Sequence, residues 1–309
     1  MKIIFFGNTD FGIPTLDILK DKRLNTLAIV TNKDKNLSRK KRLAETPIKK
    51  WAIANKAELI QQDALKDKSF IARLSNFNAD FFVVIAYKLL PYEIFSLPKF
   101  GTINLHASLL PLYRGAAPIQ RAILNGDKET GVSTFIIDKD IDTGRLIMQK
   151  KISIENQSYG EMHEKLSIIG AQLMSDSINH IINKKPLIPQ KGKVTYAHKI
   201  NKSEFQINWN KNSTDILNLI RAFSPSPGAY TYLNNKRVRI TEAVKTHLES
   251  ESLSAGLIYL ENKCIYIGTK TDPIEVKELQ PEGKKNMNAL SFFNGYVKDS
   301  GEMFESKNR

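Results

Sequence analysis

Residues 102–111 read TINLHASLLP, and strict alternation along them separates two kinds of side chain. Ile103, Leu105 and Ala107 fall on one face of a strand, and Asn104, His106 and Ser108 fall on the other. An amide, an imidazole and a hydroxyl aimed the same way are either the wet face of a half-buried strand or the beginning of a reactive site. Farther along, IIDKDIDTGRLI supplies Asp142, in a loop after a strand where Gly144 is expected to allow an unusual backbone angle. Asparagine can donate to a developing oxyanion, histidine moves protons near neutral pH, and aspartate orients or charge-stabilises an imidazole. Such a trio, gathered at the ends of parallel strands, suits acyl transfer to an amine. A hydrogen-bonded structural cluster is the alternative reading of the same residues.

Other chemistries find less support. GNTDFG follows the first strand, but a dinucleotide loop needs glycine at the middle position so that backbone can approach a pyrophosphate, and Thr9 stands there. The five histidines form no H-x-x-x-H pair and there is no cysteine pair, so no metal is expected. Ser108 lacks a G-x-S-x-G elbow, and Cys264 lies in a β-rich tail with no obvious charged neighbour.

The elements that must position these residues alternate. KIIFFG, TLAIVTN, the nearly all-apolar ADFFVVIAY and GTINLHA read as strands. Between them lie IPTLDILK and a helix predicted to begin near Pro47, and after them a helix around APIQRAILNG with Gly126 as its stop. GVSTFIID and LIMQKKISI are further strands. This grammar predicts an α/β fold with a doubly wound, mainly parallel sheet. SYGEMHEKLSIIGAQLMSDSINHIIN is a long helix with Ser158 and Glu161 as a capping box, and its His163 and His180 read as surface or packing residues. After it the periodicity fades, and short β-rich runs behind a helix capped by Ser213 predict a small barrel or sandwich. The expected domains are 1–187 and 208–309, joined by a linker over 188–207.

Composition narrows the class. One cysteine among 309 residues fits a reducing compartment, no apolar run approaches the ~20 residues of a membrane span, and KIIFF breaks too early for a signal peptide. A cytoplasmic protein is expected. The formal net charge of +14 suggests a polyanionic partner, nucleic acid before membrane. Lys33–Lys50 carries eight Lys or Arg against Asp34 and Glu45, inserted into the strand–helix alternation.

INLHASLLPLYRGAAPIQRAI, DKDIDTG and RAFSPSPGAY together resemble the methionyl-tRNA formyltransferase family over essentially the whole chain. N-x-H followed by S-L-L-P is common to folate-dependent formyltransferases; the runs Arg114–Gln120 and Arg221–Gly228 are more specific. The resemblance implies a Rossmann-like catalytic domain and an OB-like β-barrel. It implies formyl transfer from 10-formyltetrahydrofolate to the α-amine of initiator methionyl-tRNA, with no metal. Asn104 would hold the formyl oxygen, His106 would relay a proton, and Asp142 would position the imidazole and help strip the amine. Ser108, Leu109, Leu110 and Pro111 would line the folate site, with backbone at Ile85, Ala86 and Tyr87 facing the pterin. The basic stretch would be a loop reaching the tRNA acceptor end, with Arg39 at the family's arginine and Lys40, Lys41 and Arg42 around it. Asp140 and Lys88 stand where the family has glycines, and Asp140 is expected to take a left-handed backbone there. A monomer is expected. The rival reading is a folate-dependent formyltransferase with a small amine acceptor, which has no use for the basic stretch.

Overall fold

The computed structural model describes residues 1–22, 24–37, 42–246, 253–298 and 301–306, with backbone only at 35–37 and 42–43. Two units divide the chain. The first comprises Met1–Pro118, Glu129–Ser153 and His163–Ala197, and the second Ile119–Lys128, Ile154–Met162 and His198–Arg309.

Seven strands build the sheet of the first unit: β1 Lys2–Gly7, β2 Asn25–Thr31, β3 Leu59–Gln61, β4 Phe81–Ile85, β5 Thr102–His106, β6 Glu129–Ile136 and β7 Leu146–Ser153. Their spatial order is β7-β6-β5-β4-β1-β2-β3. The five from β5 to β3 are parallel; β6 pairs antiparallel with β5, and β7 pairs antiparallel with β6. Every residue of β4 is buried, as a central strand covered on both faces requires. Helices α1 Ile13–Asp21, α2 Pro47–Ala54 and α3 Lys68–Asn76 follow β1, β2 and β3. Thr46 caps α2 by accepting the Lys49 N–H, and Pro47 occupies its first turn, where a missing N–H costs nothing. On one sheet face, Ile4, Phe6, Val30, Phe82 and Val84 pack with Phe70 and Leu74 of α3. Each such side chain contributes about 1.5–3 kcal/mol of transfer free energy.

Helix α4 Pro118–Leu124 ends as expected, with Gly126 left-handed (φ 70°) just beyond it. Helix α5 Tyr159–Ile182 begins with the Ser158–Glu161 box: Glu161 Oε2 accepts the Ser158 N–H at 2.7 Å and Ser158 Oγ accepts the Glu161 N–H at 3.4 Å. Within the first unit, Gly170 of α5 meets Leu105, and Ser177 Oγ lies 2.6 Å from Thr134 Oγ1. This helix therefore covers the Ile103–Leu105 face of β5. His163 packs edge-on against Phe11 (5.1 Å between centroids), and His180 Nε2–H donates to the Pro186 carbonyl at 3.1 Å.

The basic stretch folds into a hairpin, Lys35–Leu37 against Arg42–Ala44. Lys49 on α2 holds its base, reaching Asp34 at 2.5 Å and Glu45 at 2.9 Å. Both acidic residues of the stretch are thus spent on one of its lysines. Arg39, Lys40 and Lys41 lie outside the described residues, and of Arg42 only the backbone is described.

The second unit contains helix α6 Ser213–Phe223, strands β8 Ala229–Leu233, β9 Lys236–Lys245, β10 Ile258–Glu261, β11 Cys264–Ile267 and β12 Ile274–Pro281, and helix α7 Ala289–Tyr296. The antiparallel order β8-β9-β12-β11-β10 is completed by residues 303–305, which bridge Tyr232 of β8 and Leu257 before β10. That segment closes the sheet into a small barrel around Trp209, Ile240, Ile267, Val276 and Phe292. The N-cap of α6 is Asn212, not Ser213: Ser213 is buried as the first helical residue, and its N–H donates to Thr271 Oγ1 at 3.1 Å. A tertiary partner has replaced the local cap. Residues 188–207 are shared between the units, 188–197 belonging to the first and 198–207 to the second.

Candidate active site

Both faces of β5 are covered. Ile103 and Leu105 are buried under α5, yet His106 and Ser108 on the opposite face are buried as well, and Asn104 is half-buried. Polar groups denied water need protein partners or a ligand. His106 Nε2 lies 2.8 Å from the Tyr113 carbonyl oxygen. A carbonyl only accepts, so Nε2 carries the proton, and Nδ1 is the nitrogen turned to Asp142. Tyr113 aims that carbonyl from a left-handed backbone (φ 58°), uncommon for a bulky residue. The Asn104 amide has no hydrogen-bond partner among the described residues.

Asp142 reaches this face by an indirect route. Strand β6 is antiparallel, and its last residue, Ile136, pairs with Ile103 at the start of β5. Loop 137–145 therefore leaves beside the beginning of β5, not beside its end, and doubles back over the sheet face. Asp142 Oδ2 comes to 3.6 Å from His106 Nδ1 and accepts the Gly115 N–H at 2.8 Å. The left-handed residue of the loop is Asp142 itself (φ 55°); Asp140 does not take that conformation. Gly144 serves close approach and not an unusual φ, because a Cβ there would lie 1.7 Å from the Ile136 carbonyl oxygen.

The remaining site residues are held by polar contacts. Ser108 Oγ–H donates to the Leu112 carbonyl (2.6 Å), so its hydroxyl is already engaged. Ser133 Oγ accepts the Leu110 N–H (3.0 Å) and donates to the Ser108 carbonyl (2.6 Å), while Gln149 Nε2–H donates to the Leu110 carbonyl (2.9 Å). Leu110 is packed with Phe135 and Leu146; Leu109 is half-buried over Gly131; Pro111 is buried after a cis peptide bond. At the end of β4, Ile85 is buried and paired with Leu105, and Ala86 is the first residue out of the ladder, exposed with φ 48°. Tyr87 packs edge-on to Phe6 and donates to the Gln62 carbonyl at 3.2 Å; burial, helped by the charge of Asp63, pushes its phenol far up, so it remains a donor. Lys88 pairs with Asp63 at 2.7 Å, which holds that carboxyl below its ordinary value.

Tyr113, Ser133, Gln149, Gln190 and Thr195 are contributors that the sequence pattern did not single out. Ser133 and Thr134, between Val132 and Phe135 in β6, were a usable signal, since buried hydroxyls need partners. Gln190 had none, because 188–207 carries no period. Among the described residues no group of His, Cys, Asp and Glu has the arrangement of a metal site, and no helix is long and apolar enough to cross a membrane.

Comparison with known proteins identifies the family. Residues 1–178 match the formyl transferase family and residues 199–297 the formyl transferase C-terminal domain. A methionyl-tRNA formyltransferase from Thermodesulfovibrio yellowstonii is 43% identical over 298 residues, covering 95% of each chain. One from Flavobacterium johnsoniae is 37% identical over 303 residues, covering 96% of each. HypX from Aquifex aeolicus, solved in complex with tetrahydrofolic acid, superposes with a TM-score of 0.66 at 13% identity, over 100% of this chain and 51% of its own. Matched by both formyltransferase domains and, over 95–96% of its length, by these relatives, the chain belongs to the methionyl-tRNA formyltransferase family.

Proposed function

We propose that the chain transfers the formyl group of 10-formyltetrahydrofolate to the α-amine of initiator methionyl-tRNA, with Asn104, His106 and Asp142 as the catalytic residues. The observation that carries this reading is the covered polar face of β5, where an unpartnered amide stands two residues from an imidazole–carboxylate pair. Ala86, exposed and left-handed at the neighbouring strand end, leaves peptide groups out of the ladder that suit the hydrogen-bonding edge of a flat pterin ring. Bound there, the folate supplies an activated formyl carbon.

The chain's residues then divide the work. Asn104 Nδ2–H donates to the formyl oxygen as charge develops on it, a role worth about 100-fold or more in rate. The attacking amine must lose a proton as its nitrogen bonds to the formyl carbon and the carbon–nitrogen bond to the donor breaks. His106 Nδ1 and Asp142 Oδ2, 3.6 Å apart, are two acceptors facing the same point, and together they take that proton. The Tyr113 carbonyl holds the imidazole from behind, so the proton enters at Nδ1 and is handed from there to the departing donor nitrogen, which leaves as a neutral amine. The basic run Lys33–Lys50 supplies positive charge that suits a tRNA acceptor and that a small amine does not need.

The test is formylation of charged initiator tRNA beside charged elongator tRNA and free methionine, with the same formyl donor. Preference for the initiator is expected. Equal use of free methionine would replace the reading with a small-acceptor enzyme. Cytoplasmic action as a monomer belongs to the same proposal, checked by fractionation and sedimentation.

A further inference from the structure

Residues 188–197 lie along the first unit as a strap. Ile188 exchanges both backbone hydrogen bonds with Leu146 at 2.8 Å, Thr195 Oγ1 accepts the Tyr113 N–H at 2.8 Å, and Tyr196–Ala197 pair in parallel with Arg114–Gly115. Gln190 lies within this strap, and its side chain is fully engaged. Oε1 accepts from Arg114 Nη2 at 2.6 Å and Nε at 3.2 Å, while Nε2 donates to the carbonyls of Asp142 at 2.9 Å and Gly144 at 2.8 Å. A primary amide has two acceptor sites and two donors, and all four are used.

The neighbours also fix which way the amide points. Flipped, it would turn its NH2 to a guanidinium and its oxygen to two carbonyls. A glutamate would keep Arg114 and lose both donors; a lysine would do the reverse; an asparagine is one methylene short. The contacts close a ring as well: Arg114 holds Gln190, Gln190 holds the peptide of Asp142, and the Asp142 carboxylate is held by Gly115, next to Arg114 in the chain.

We propose that Gln190 is a positioning residue for the reaction: by gripping the carbonyls on either side of Thr143 it sets where the Asp142 carboxylate stands relative to His106. This rests on the reading of Asp142 as a proton acceptor. The strap is then part of the catalytic apparatus of the first unit.

The experiment is a double-mutant cycle in the full-length enzyme, with Gln190→Met, Asp142→Asn and the pair, reading kcat, KM for both substrates and thermal unfolding. Gln190→Met keeps the length and removes every hydrogen bond of the amide. The expected result is a kcat loss of about 10–100-fold with each KM within about threefold of wild type, as a small displacement of a reacting group produces. In the Asp142→Asn background the same change is expected to cost less than about threefold, because the group it positions is gone. Gln190→Glu, which keeps the Arg114 contact, is expected to be no better than Gln190→Met, since the lost donors are what matter. Equal losses in both backgrounds, an effect confined to KM, or a Gln190→Met protein that does not fold would each overturn the proposal in favour of a structural strap. Asp142→Asn with near-normal kcat would instead overturn the reading beneath it.

Discussion

Replacing Gly144 by alanine tests the position of the Asp142 loop with a single methyl group. The new Cβ would lie 1.7 Å from the Ile136 carbonyl oxygen, 2.9 Å from its carbon and 3.1 Å from the Phe135 ring. Ordinary carbon–oxygen contact requires an opening of about 1.5–2 Å. Strand β6 will not supply it, because Ile136 is paired with Ile103 in the sheet and Phe135 is buried with Leu110 and Leu146. The loop must move, and Asp142 is two residues away. A shift of that size takes Asp142 Oδ2 out of its 2.8 Å hydrogen bond from Gly115 and changes its 3.6 Å approach to His106. Misplacing a reacting group by ~1 Å costs about 100-fold in rate, so kcat for formylation is expected to fall by about that factor. Overpacking adds about 1–3 kcal/mol of destabilisation, a few degrees in Tm. The control is Gly295→Ala: Gly295 lies in α7 with no heavy atom within 4 Å of its would-be Cβ. Alanine there is expected to raise stability by about 0.5–1 kcal/mol and leave kcat alone. The assay is initial-rate formylation of charged initiator tRNA beside thermal unfolding of the same preparations. A Gly144→Ala enzyme with turnover within threefold of wild type would refute the reasoning.

Asn104→Ala and His106→Ala are each expected to lose about 100-fold or more in turnover while keeping a wild-type circular dichroism spectrum; near-normal turnover in either removes that residue from the mechanism. Arg121 holds the Glu204 carboxyl below its ordinary value of 4.5, through contacts of 2.6 and 3.1 Å. A depressed carboxyl contributes stability that is whole above the ordinary value and is lost as pH falls through the folded one. Glu204→Gln is thus expected to cost about 1 kcal/mol at neutral pH and almost nothing near pH 3, read from urea midpoints; a gap that persists in acid would refute the ion-pair account. Alanine at Arg39, Lys40, Lys41 and Arg42 together is expected to flatten the slope of log tRNA affinity against log salt by up to about three units, with folate affinity unchanged. An unaltered slope would make the hairpin a solvated surface. Lys49→Met is expected to raise the KM for tRNA without touching folate, because it frees the hairpin base that Asp34 and Glu45 clasp; an unchanged KM would separate hairpin placement from tRNA use.

What the amino-acid order determined by itself was local, or came through a matching motif. Alternation placed Asn104 and His106 on one side of β5, Pro47 and Gly126 marked where α2 begins and where α4 must stop, and the unbroken apolar run of β4 identified a strand covered on both faces. Each of these depends on neighbours within a few residues, where sterics and hydrogen bonding are set by residue type. The tertiary structure decided which distant groups meet. The polar face of β5 is buried because a loop from the antiparallel β6 folds over it, and only strand order reveals that direction. The tautomer of His106 follows from a carbonyl seven residues away, turned by a left-handed tyrosine that no propensity scale favours. Residues 188–197, aperiodic because they pair singly with an edge strand and a loop, read as a linker and are a strap that holds Asp142 through Gln190. Gly144 illustrates the division: its presence was visible in DTG, but its purpose is the absence of a Cβ beside Ile136, a contact that exists only once the chain has doubled back.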